Sequence, residues 1–149
     1  MSAIAYSLAV RNAKQQATIN AIDGASTPGK MQFYTAPRPA SGAALTTQTL
    51  LGTCTFSQPS ATVANGLATF AALADEPSAP ADGIASWVRI VDGAGTWVSD
   101  MDVTPDQVPD PAHPGQMMQG PGPVRMVSTQ IYRGGIIRVT SMTIGGGNV

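Results

Sequence analysis

Glycine and proline interrupt this chain so often that short strands joined by turns must fill most of it. Sixteen Gly and 12 Pro fall among 149 residues, nearly a fifth of the chain against roughly 12% on average. Proline fixes φ and removes a donor, and glycine weakens any regular element that it enters. Between them Val, Ile, Leu and Met recur in ordered short runs, which sets the chain apart from a disordered one. The length suits one domain with one core.

Residues 6–22 form the one good helix candidate. Ser7 can cap it, while Leu8, Ala9, Asn12, Ala13, Gln16, Ala17 and Asn20 recur at helical spacing. Gly24 stands where a C′ glycine is expected. The face so drawn is small and rich in Ala, suited to close packing on a sheet or a neighbouring subunit. Residues 1–24 therefore read as an N-terminal arm and helix, and residues 25–149 as a β domain.

Strands are expected at Lys30–Thr35, Leu50–Phe56 and Val63–Ala71, the last broken by the hairpin signal Asn65-Gly66. In the second, Leu51, Thr53 and Thr55 oppose Leu50, Cys54 and Phe56. Trp87–Val91 and Trp97–Val103 flank a Gly-containing turn and read as a β-hairpin. In its return strand Trp97, Ser99, Met101 and Val103 share one face, and Val98, Asp100 and Asp102 the other. Further strands are expected at Met126–Tyr132 and, as a long closing strand, Ile136–Ile144. Before them, residues 104–123 hold prolines at 105, 109, 111, 114, 121 and 123. That segment is expected to be extended, without structure of its own, and outside any central strand. Gly145–Val149 reads as a flexible tail. The pattern as a whole predicts a mainly β protein, an antiparallel β-sandwich or jelly roll with one N-terminal helix.

The residues offer little for catalysis. His113 is the only histidine, in Pro111-Ala112-His113-Pro114, with no rigid group nearby to orient it. Asp100, Asp102, Asp106 and Asp110 lie close in sequence, yet their spacing does not match an EF-hand loop. A solvated strand face is the expectation for Asp100 and Asp102, with a bound cation as the alternative. Trp87 and Trp97 read as core or interface anchors. Cys54, the only cysteine, excludes an intrachain disulfide and a Cys-based zinc site and reads as a small buried hydrophobe. Charged residues make up 11% of the chain and the net charge is −1. The Lys and Arg residues are scattered, so no nucleic-acid footprint emerges. A surface so weakly charged suits a protein much of which is covered by neighbours. No signal peptide or span of ~18 apolar residues is evident. Manufacture in the cytoplasm, without membrane insertion, is the expectation.

Three blocks carry a resemblance. Ser7-Leu8-Ala9-Val10-Arg11-Asn12-Ala13, Trp87–Thr96 with its Val88-Arg89-Ile90-Val91-Asp92 strand end and Gly turn, and Ile136–Asn148 with its Gly-Asn tail resemble, in that order, a family of small tailed-bacteriophage virion proteins. Segment 104–123 departs from the shorter glycine-rich stretch of that family. The resemblance implies a virion structural protein, made in the host cytoplasm, with no enzymatic activity and no cofactor. It implies a capsid decoration or cement protein that binds the major capsid protein, other copies of itself as a dimer or trimer, or both. A tail, baseplate or head–tail connector component is the alternative, and a metal- or carbohydrate-binding module a further one. The residues expected at contacts are Leu8, Arg11 and Asn12 on the helix, Trp97 on the hairpin, and Pro109, His113, Met117, Met118, Pro121 and Arg125 in and after the proline segment.

Overall fold

Helix α1 spans Leu8–Ile22 and starts where Ser7, in extended conformation, accepts the Val10 N–H at 3.3 Å. The computed structural model describes residues 4–145; the start of the arm and the expected tail beyond Gly145 lie outside the described residues. Gln15, Ile19 and Ile22 are the buried side of α1, while Ala9, Ala13 and Ala17 stay exposed. The face drawn through the alanines is thus corrected. Two isoleucines bury more apolar area than a row of methyl groups, so they set the rotation of the helix. Gly24 does not take the left-handed conformation expected of it. The chain leaves the helix through Asp23, whose backbone N–H bonds to Ile19 O and whose carboxylate accepts the Ser60 N–H at 3.0 Å.

Twelve strands follow among the described residues: β1 Lys30–Tyr34, β2 Leu50–Thr55, β3 Ala61–Ala64, β4 Leu67–Phe70, β5 Gly83–Ile84, β6 Trp87–Val91, β7 Trp97–Pro105, β8 Gln107–Pro109, β9 Met117–Gln119, β10 Val124–Met126, β11 Gln130–Ile131 and β12 Ser141–Gly145. Eight of them form one sheet in the order β2-β1-β6-β7-β10-β12-β4-β3. Neighbours in it run antiparallel except β7 and β10, which run parallel. The protein is mainly β, as expected, and the sheet curls around a shared core in the manner of a β-sandwich. Its two ends meet: Phe56, just after β2, lies 5.6 Å from Phe70 of β4. Thr55 and Ala74 exchange backbone hydrogen bonds of 2.8 and 3.2 Å, so the β2 edge is covered. Ile19 and Ile22 join this core, and the helix and β domain are one packing unit.

Two bulges change which side chains face inward. Phe33 pairs with Gly52 and Tyr34 with Leu50, leaving Leu51 as the extra residue. Leu51 and Cys54 are therefore both buried, although strict alternation set them on opposite faces. Likewise Ile90 pairs with Ser99 and Val91 with Trp97. Val98 is the extra residue, and Trp97 moves to the face of Asp100.

Three further expectations are corrected. Residues 104–123 are paired in part: Thr104 and Pro105 end β7 beside β10 in the middle of the sheet, and β8 and β9 form a two-stranded ribbon. Pro105 and Pro109 end strands, Pro111 and Pro114 lie in the ribbon tip, and Pro121 and Pro123 lie in the link from β9 to β10, where no ladder donor is required. Met126–Tyr132 is two strands, because the Ser128 hydroxyl accepts the Gln130 N–H at 3.2 Å in a local turn. The closing strand begins only at Ser141, because Ile137 exchanges backbone bonds of 2.9 and 3.0 Å with Glu76 instead.

The Asn65-Gly66 turn docks the helix. Both residues have positive φ, 53° and 76°, as a two-residue hairpin requires. The Gly66 N–H, in a buried residue, donates to Asn12 Oδ1 at 2.7 Å. Replacing Asn12 with Ala leaves that donor without a partner. Asn12→Ala is expected to cost about 1–3 kcal/mol in chemical denaturation; a change under ~0.5 kcal/mol would show that the contact does not seat the helix.

Candidate contact surfaces

The β8–β9 ribbon is nearly all surface. Residues 111–119 are exposed, Met117 and Met118 included, and Val108 pairs with Met118 across it. Its tip is a self-contained turn. The Asp110 N–H donates to Gln116 O, Asp110 O accepts the His113 N–H, and the Asp110 carboxylate accepts the Ala112 N–H at 2.8 Å. His113 Nδ1 lies 2.7 Å from Asp110 Oδ2. The hydrogen bond with His113, and then that from Ala112, hold the Asp110 carboxyl below the usual carboxylate range. His113 therefore has an orienting group after all, three residues away, but the pair sits in the open with no third member.

The ribbon is anchored at its base. The Gly120 N–H donates to Asp106 O at 2.8 Å, and the Asp106 N–H to Met126 O at 2.7 Å. A Cβ on Gly120 would stand 1.9 Å from Pro105 O, so only glycine allows this crossing. Thr140 Oγ1 hydrogen-bonds with the Asp106 carboxylate and with Arg125 O.

On the outer face of β1, β6 and β7 lies a polar and aromatic cluster. Arg89 grips Asp100 through two hydrogen bonds of 2.8 and 2.9 Å, and the two side chains are 13% and 4% exposed. Asp100 is thus not part of a solvated face, and a guanidinium fills the place that a cation would take. Asp102, by contrast, is exposed and pairs with Arg38 at 3.2 Å. Arg89 also donates to Ala43 O at 2.9 Å, and the Gly42 N–H reaches Asp100 at 3.4 Å. Trp97 donates its indole N–H to Asp100 at 3.1 Å. Trp87 is fully buried, stacks on Tyr34 at 4.9 Å between centroids, and donates to Thr35 O at 2.9 Å. Trp87 is a core residue and Trp97 a half-open one.

A surface that the sequence reading missed lies around the turn after β11. Met126 and Ile131 are buried beneath a groove of about 230 Å³ whose sides carry Val127, Tyr132 and Ile136. These three are 79%, 68% and 65% exposed. Ile84, 60% exposed, pairs with Gln130 of the groove and so faces the same way. The signal was in the alternation: Tyr132 and Ile136 are the out-of-phase neighbours of buried Ile131 and Ile137.

The remaining expected contact residues fall in different settings. Leu8 is exposed on the first helical turn, and Pro109 and Pro121 are exposed at the ribbon. Arg11 is half-buried over Gly66 and reaches Asn65 O at 3.5 Å. Arg125 is half-buried and donates to Ser141 Oγ at 2.9 Å. Arg11, Asn12 and Arg125 thus make contacts within the chain, while the ribbon residues face outward. Cys54 is buried beside Ile137 O, and burial pushes its thiol up to about 11; it is a thiol, not a nucleophilic thiolate, at neutral pH. Among the described residues no three His, Cys, Asp or Glu side chains converge to hold a metal. No helix among them is long and apolar enough to cross a membrane. Comparison with protein-family models, with curated proteins and with solved structures finds no match.

Burial alone would raise the Asp100 carboxyl, but the hydrogen bonds from Arg89, Trp97 and Gly42 outweigh it and hold it low. A depressed carboxylate stabilises the fold above its unfolded pKa and loses that effect as pH falls through the folded one. Asp100→Asn is expected to destabilise by about 3 kcal/mol at pH 7, because it leaves Arg89 without its counter-charge. The gap between wild type and variant should narrow below about pH 4. Denaturant titrations at pH 7 and pH 3 measure both, and a gap independent of pH contradicts the assignment.

Proposed function

We propose that this chain is a virion structural protein that works by contact, a capsid decoration or cement protein that attaches to the major capsid protein. The observation that carries this reading is the β8–β9 ribbon. It leaves Met117 and Met118 on the surface, while its tip and base are satisfied by their own hydrogen bonds. Such an element costs little entropy to dock, because its shape is set before contact. Its strands offer unpaired edges for backbone hydrogen bonding, and its methionines adapt to an apolar partner. Many copies on one shell would make modest single contacts effectively permanent. The three resembling blocks, at residues 7–13, 87–96 and 136–148, support the same placement. A tail or connector component would use the same surfaces in far fewer copies. The carbohydrate- or cation-binding alternative is less well supported, because Arg89 occupies Asp100 and Trp97 is tied to it.

Removing all of 104–123 would cut the β7–β10 joint, so the informative variant is smaller. Replacing Met117 and Met118, both exposed, by Ser within a ribbon whose residues 110–116 are also shortened to a two-residue Asn-Gly turn should leave the fold intact by circular dichroism. It should lower occupancy on particles from which the protein has been stripped, measured by re-addition and sedimentation. Occupancy equal to that of the intact chain would remove the ribbon from the contact.

A further inference from the structure

The turn between β3 and β4 carries the residues for a reaction of its own. Asn65-Gly66 is the one Asn-Gly pair in the sequence; Asn12 and Asn20 precede alanine, and Asn148 precedes valine. In such a pair the backbone nitrogen of the second residue can attack the side-chain amide of the first, and glycine, with no Cβ, leaves that nitrogen open to approach. The Gly66 nitrogen gives up its proton and bonds to Asn65 Cγ. The Cγ–Nδ2 bond breaks, the leaving nitrogen takes up a proton, and ammonia departs from a five-membered succinimide. Water then adds to one of the two ring carbonyls. One opening gives an aspartyl residue, the other an isoaspartyl link.

The fold restrains this reaction in three ways. The nucleophile is engaged: the Gly66 N–H donates to Asn12 Oδ1 at 2.7 Å, and Gly66 is buried although Asn65 beside it is exposed. Arg11 covers the same atoms from the helix. A Cβ on Gly66 would stand 3.0–3.2 Å from the Arg11 side chain, whose Nε is buried without a partner. Ring closure, finally, must rotate the Asn65 Cα–C bond out of the conformation that a two-residue turn needs, and the pairing of Ala64 with Leu67 holds that turn closed. Two of the three restraints come from α1. Local opening of one element takes less free energy than global unfolding, so lifting the helix is the easy route to the reactive turn.

We propose that Asn65 is a spontaneous modification site, deamidated through the Gly66 nitrogen, and that docking of α1 through Asn12 and Arg11 gates the reaction. Water is the only co-reactant. The two products act differently on the helix. An aspartyl residue suits the turn as asparagine does and sets a negative charge beside Arg11, which already reaches Asn65 O at 3.5 Å. An isoaspartyl link adds a methylene to the main chain, takes Gly66 away from Asn12, and makes the opening of the helix permanent.

Peptide mapping by mass spectrometry follows the conversion of amide to acid in the full chain at mildly alkaline pH, folded and in guanidinium chloride. The expected result is conversion at Asn65 ahead of Asn12, Asn20 and Asn148, and slower in the folded chain than in the unfolded one. Asn12→Ala is expected to speed the folded reaction about tenfold, the fold-change that loss of one buried hydrogen bond implies. Asp100→Asn, which acts on the outer face of the β6–β7 hairpin, is the control and should speed it far less. Conversion as fast in the folded chain as in the unfolded one, or equal acceleration in both variants, would overturn the inference. If circular dichroism shows that Asn12→Ala does not fold, hydrogen exchange of the wild type decides. The Gly66 amide is then expected to be protected about as strongly as conversion of Asn65 is slowed, and a freely exchanging Gly66 amide contradicts the gate.

Discussion

Arg89 and Asp100 face each other across the β6–β7 hairpin, and their pair decides that the middle of the sheet is covered on both sides. One face carries Val88 and Ile90 into the main core. The other carries Trp87, Arg89 and Asp100 beneath the segment that follows β1, which Ala43 and Gly42 fasten to the pair. Two buried charges repay their desolvation only with good geometry and further hydrogen bonds. Here Asp100 accepts from Arg89, Trp97 and Gly42, and Arg89 also donates to a backbone carbonyl. In a chain with so few charges, this pair is spent on shape.

Much of this was legible in the sequence, for local reasons. Ser7 and the Asn65-Gly66 turn act within a few residues of backbone, and both appear where they were expected. The β6–β7 hairpin was likewise visible in its alternation. The failures were of three physical kinds. A bulge advances the alternation by one residue, and nothing local announces it, so Leu51 and Trp97 were placed on the wrong faces. Long-range pairing rescues segments that look irregular: Thr104 and Pro105 read as loop until Val124–Met126 returns beside them in parallel. An ion pair across a hairpin depends on register, so Asp100 read as a solvated acid while its partner stood eleven residues earlier.

The candidate surfaces were legible in part. Composition pointed to the proline segment, and that segment does project, though as a ribbon with a hydrogen-bonded tip and not as an open arm. Arg11, Asn12 and Arg125 were expected outside and are used within the chain, since each meets a backbone or hydroxyl group brought near by a distant strand. The Tyr132–Ile136 groove was missed because Tyr132 and Ile136, out of phase with buried Ile131 and Ile137, read as residues of two strands and not as the exposed sides of one turn. Ribbon and groove share a physical logic. Each presents apolar side chains on backbone already held by hydrogen bonds, so that contact with a partner need not order it.

The measurement that bears most directly on the proposed role in a shell is copy number in purified virions, by quantitative gel or mass spectrometry against the major capsid protein. The expected result is a stoichiometry on the scale of the shell's repeating units. Absence from the particle, or a handful of copies confined to the tail, would contradict it.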